Sequence, residues 1–100
     1  MADDDGFSVQ IDMGLDHREF FRLLPAAVEE RAWRVEDERV IIEDGGRRID
    51  IELDESVTRP VGPTLKMPMT VVRLRFSGYR RSEAEAFLER FRRHYQRGGG

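Results

Sequence analysis

An α+β two-layer sandwich is the fold class this sequence predicts, and three observations lead to it. Two stretches, Arg48-Ile49-Asp50-Ile51-Glu52-Leu53-Asp54 and Val72-Arg73-Leu74-Arg75-Phe76, alternate apolar and charged residues. Strands alternate in this way when one face is buried and the other is wet. Two other segments, around Phe20 to Val28 and Ala84 to Tyr95, place apolar residues at helical spacing. Finally, Asp44-Gly45-Gly46 sits between apolar runs, and glycine reaches the positive φ that tight hairpins need. Strands in the middle of the chain therefore pair with their neighbours, and two amphipathic helices cover one face of an antiparallel sheet.

Each element follows in order. Residues 1–6 carry Asp3, Asp4 and Asp5 and read as a disordered acidic lead-in. Phe7-Ser8-Val9-Gln10-Ile11-Asp12-Met13 alternates cleanly, turning Phe7, Val9, Ile11 and Met13 toward a core. Gly14 ends this strand. Asp16 with Glu19 three residues on has the form of a capping box, opening a helix whose stripe is Phe20, Phe21, Leu23, Leu24, Ala27 and Val28. Pro25 removes a backbone donor and clashes with the preceding turn, which predicts a kink or break near Leu24.

Trp33 and Val35 then alternate with Arg34 and Glu36, Asp37-Glu38 turns the chain, and Val40-Ile41-Ile42 resumes a strand. The acidic strand at 48–54 extends toward Val57. Residues 59–68 hold Pro60, Gly62, Pro63 and Pro68 and predict a loop. The basic strand runs from about Thr70 to Ser77. Ser82 and Glu85 form a second capping box, and Ala84, Phe87, Leu88, Phe91 and Tyr95 fall on one face of the last helix. Residues 98–100 are glycines and read as a flexible tail, so the domain spans 7–97.

The order β-α-β-β-β-β-α resembles one half of the TATA-binding-protein architecture, in topology alone. That resemblance implies both helices on one face of an antiparallel sheet and says nothing of function. A ferredoxin-like sandwich is the alternative, if residues 32–43 form one bent strand.

Composition narrows the function classes. A chain of 100 residues without cysteine has no disulfide framework, thiolate metal site or cysteine nucleophile. No apolar run approaches the ~20 residues that span a bilayer, so a cytoplasmic protein with no membrane partner is expected. His17 and His94 lie in different helices without further ligands at metal spacing, and no cofactor motif appears. Asp50, Glu52 and Asp54 project together, but Arg73 and Arg75 opposite would hold them as plain anions. A non-catalytic module is expected.

The net charge is −3, and only Lys66 among the 17 basic residues is lysine. Arginine richness suits phosphate recognition, and codon preference accounts for it equally. Arg90, Arg92, Arg93 and Arg97 cluster near the chain end and are the candidate phosphate-binding residues. Cations at a helix C-terminus also complement its dipole, and the acidic sheet face would repel phosphate, so the sequence argues against nucleic acid. The 59–69 segment places Leu65, Lys66, Met67 and Met69 in a loop. Methionine recurs on adaptable binding surfaces. These four residues, or a sheet edge, are the candidate contact for a protein partner or a second copy. The alternatives are a small-molecule pocket beneath a helix lifted by Pro25, and nucleic-acid binding by the last helix.

Overall fold

The computed structural model describes residues 7–28 and 31–99, with side chains as far as Gln96. The elements are β1 (Phe7–Met13), α1 (His17–Val28), β2 (Ala32–Glu36), β3 (Arg39–Asp44), β4 (Arg47–Leu53), β5 (Val57–Pro60), β6 (Lys66–Ser77) and α2 (Arg81–Gly99). The strands run β1-β6-β4-β3-β2 across one open antiparallel sheet, and β5 joins the far end of β6. This is the α+β two-layer sandwich the alternation predicts, with one strand more than expected. The lead-in at residues 1–6 lies outside the described residues.

The charged alternation sets the register. Asp50 stands opposite Arg75 and Glu52 opposite Arg73, while Ile49 faces Phe76 and Ile51 faces Leu74 on the inner side. A slip of one residue would exchange those faces, so burial of the inner set fixes the pairing. Two tight turns build the neighbouring hairpins. Gly45 and Gly46 take φ of 58° and 84°, and Asp37 and Glu38 take 50° and 62°. Both pairs fit a two-residue turn with positive φ throughout, whose twist matches the strands it joins. The second turn divides residues 32–43 into two paired strands, which removes the ferredoxin-like alternative.

Three local expectations need correction. Helix α1 is not broken at Pro25: it runs unbroken from His17 to Val28. The proline is exposed while Leu24, Ala27 and Val28 are buried. The proline's side of the helix therefore faces solvent, where a carbonyl that loses its helical donor stays open to hydration. Helix α2 starts one residue before Ser82. The Arg80 amide donates to Glu83 Oε1 at 3.0 Å, and Ala84 N–H donates to the Arg80 carbonyl at 3.0 Å. Glu83, not Glu85, thus closes the cap, and this bond holds its carboxyl below the usual carboxylate range. At Asp16 the expected cap is present, with Glu19 N–H donating to Oδ1 at 2.9 Å. Thirdly, the backbone of α2 continues through Gly98 and Gly99, where a flexible tail was expected; Gly100 lies outside the described residues.

An aromatic column joins the two helices. Phe91 lies between Phe87 at 5.5 Å and Tyr95 at 4.9 Å, and Tyr95 stacks on Phe20 of α1 at 5.1 Å. The Tyr95 hydroxyl donates to the Phe20 carbonyl at 2.8 Å, which satisfies the polar end of a buried ring. Burial raises its pKa. Thr70 is the buried polar residue of the core region. Its hydroxyl donates to the Leu15 carbonyl at 2.7 Å and accepts from Ser56 at 2.7 Å.

Candidate interaction surfaces

The segment expected to be a loop is mostly strand. Residues 57–60 pair with 66–69: Val57 stands opposite Met69, Thr58 opposite Pro68, Arg59 opposite Met67 and Pro60 opposite Lys66. Only 61–65 are left to turn, closed by Val61 N–H donating to the Leu65 carbonyl at 2.9 Å. Proline was expected to forbid this. A two-stranded ribbon has a free side on each strand, and a missing N–H directed there costs no ladder bond.

Every residue from Val57 to Pro68 is exposed, so this hairpin stands off the body as an arm. Val57, Val61, Leu65 and Met67 are 53%, 51%, 64% and 39% accessible. Residues directly opposite in a ladder share a face, which puts Val57, Arg59, Met67 and Met69 on one side of the arm. The four residues singled out from sequence therefore divide. Leu65 and Lys66 lie at the tip. Met67 and Met69 lie lower, and their sulfur atoms come within 3.4 Å and 3.8 Å of where a Cβ on Gly14 would sit. Met69 is partly buried and anchors the arm to the end of β1. Val57 and Val61 belong to the same exposed set and were missed, because composition alone gives no pairing register.

The basic cluster divides as well. Arg93 bonds Glu89 one turn earlier at 3.1 Å. Arg92 projects toward β1, lining two cavities of about 440 and 520 Å³ between that strand and α2. Arg90 lines neither. The Arg97 side chain lies outside the described residues.

On the outer sheet face the arginines neutralise the carboxylates, as expected, though not in the expected pairs. Arg39 reaches Asp50 at 3.5 Å and Glu52 at 3.4 Å, Arg48 bonds Asp50 at 2.6 Å, and Arg73 bonds Asp54 at 2.9 Å. Asp50 is thus taken by neighbours from β3 and its own strand, leaving Arg75 opposite it without an ion pair among the described residues. Surface pairs of this kind contribute little to stability, because water and salt screen them.

The pocket expected beneath α1 lacks its premise, since Leu24 and Val28 beside Pro25 are fully buried against the core. No group of three or more potential metal ligands converges among the described residues, and no described helix is long and apolar enough to cross a membrane. Comparison with protein-family models, with curated proteins and with solved structures finds no match.

Proposed function

We propose that this protein is a non-catalytic association module that docks on a protein partner, or on a second copy of itself, through the β5–β6 arm. One observation carries the reading: Val57, Val61, Leu65 and Met67 are exposed on a hairpin whose tip adds nothing to the core. Scattered surface apolar residues are ordinary, but a contiguous set on a projecting element marks an interaction site. Arg59 and Lys66 flank that set, so an apolar surface with an acidic rim is the matching partner.

Replacing Val61, Leu65 and Met67 together with serine tests this, with Met69 left in place as the anchor. The variant is expected to keep its circular dichroism spectrum and melting temperature while losing association in sedimentation and in lysate capture. The reading fails if the native protein is monomeric at its solubility limit and captures nothing. It fails equally if the triple variant associates as the native chain does.

A further inference from the structure

We propose that the groove between β1 and α2 binds an extended segment of a partner protein, in which an Asp or Glu stands between two apolar residues, each two positions away. This rests on the association-module reading but uses a surface other than the tip of the arm.

Strand β1 is a sheet edge. It pairs with β6, and among the described residues no strand lies on its other side. Half of its backbone N–H and C=O groups therefore point away from the sheet, a template for an added strand. The opposite edge, β2, also has no further strand beside it among the described residues, but all of its residues are exposed, so no described element walls it. At β1, helix α2 supplies that wall.

The groove has a repeating chemistry. Phe7, Val9 and Ile11 point to the helix side and are only half buried, because no described strand covers them beyond the edge. Toward the start of β1, Phe7, Val9 and Leu88 line the cavity of about 520 Å³. Toward its end, Ile11, Met13 and Tyr95 line the cavity of about 440 Å³. Arg92 and Gln96 belong to both, so they sit between the two apolar sites. The floor of one site lies four residues along β1 from the other, about 13 Å in a strand. Side chains at positions i and i+4 of an added strand cover that distance, and the side chain at i+2 then faces Arg92.

Charge selects the middle residue. Glu89 is bonded to Arg93 and Glu85 to Arg81. Asp12 also lines the far cavity, but it is exposed and alternates away from Ile11 and Met13 along β1. Arg92 makes no hydrogen bond or ion pair among the described residues, which leaves it as the unpaired cation shared by the two cavities. Since apolar sites lie on both sides of it, the groove suits a carboxylate borne by a side chain in mid-segment rather than one that ends a chain.

Fluorescence anisotropy with a labelled peptide Ser-Leu-Ser-Glu-Ser-Leu-Ser and the full chain tests the proposal. Saturable binding is expected, about fivefold weaker for the Glu→Gln peptide and for Arg92→Ala. Arg92 is exposed, so its replacement leaves the fold intact. With Arg92→Glu, binding is expected to be lost and then recovered by a peptide carrying Lys in place of Glu. A variant with only the arm-tip residues Val61 and Leu65 changed to serine is expected to bind the peptide as the native chain does. Absence of saturable binding, or equal affinity across the Glu, Gln and Arg92 changes, overturns the groove proposal and leaves the arm reading standing. Self-association without peptide that Arg92→Glu abolishes would make the occupant a second copy and also overturn it.

Discussion

The sheet body and the β5–β6 arm are built from one continuous strand, β6, yet they spend their apolar residues in opposite ways. In the body, Val72, Leu74 and Phe76 are buried on the helix side, while Arg73 and Arg75 face water. In the arm, the same strand carries Met67 into solvent, and its partner β5 adds Val57. Alternation therefore predicts burial only where a second layer exists to receive the apolar face. Helices α1 and α2 supply that layer for the body; none of the described elements supplies it for the arm. The contrast makes stability a property of the body and leaves the arm free for contact.

The sharpest way to break this comparison is at Phe91, which is fully buried and touches Phe20, Phe87 and Tyr95. Phe91→Ala is expected to cost about 3–5 kcal/mol in chemical denaturation, because deleting a buried ring leaves a cavity the layers cannot close. A loss no larger than that of an arm substitution would mean that the column does not hold the two helices together.

A smaller effect sharpens the same point. Tyr95→Phe removes the bond to the Phe20 carbonyl and is expected to cost about 1 kcal/mol at neutral pH. The pH dependence follows from burial, which raises the Tyr95 phenol above its ordinary 10.0. Above that pH the unfolded chain releases the proton while the folded chain holds it. Stability is thus intact below pH 10 and falls as pH rises further, by about 1.4 kcal/mol per unit for this group. Denaturation midpoints measured across alkaline pH should fall less steeply in Tyr95→Phe. Tyr79, also raised by burial, keeps part of the slope.

At the low end, Val61→Ser and Leu65→Ser are expected to shift stability by less than about 0.5 kcal/mol, since neither side chain touches the core. A clear loss in thermal unfolding would show that the arm folds back onto the body.

Legibility from sequence followed the same division. β1, β4 and the C-terminal part of β6 are plain in the period-two pattern, and their opposed charges even indicate which strands pair. The β5–β6 hairpin was not legible, because Pro60 and Pro68 read as breakers when the free sides of a two-stranded ribbon are unknown. The cap of α2 was misplaced for a similar reason. Ser82 is the better capping residue by type, but Gly78 at φ 77° and buried Tyr79 bring the chain into the helix sooner, where Glu83 meets the Arg80 amide. Among the site residues, Leu65 and Met67 were found by their neighbourhood of prolines. The position of Arg92 over the β1 groove was hidden inside a run of arginines that reads alike in sequence.

The chain itself settled its element types and its main register, because burying alternate residues on one face is a local pattern with one low-energy solution. Which strands became edges was decided by the assembled sheet alone. Edge status depends on what lies beside a strand, and Phe7, Val9 and Ile11 look identical in sequence whether or not a further strand covers them. The half-open groove and the uncovered arm both arise from that nonlocal fact.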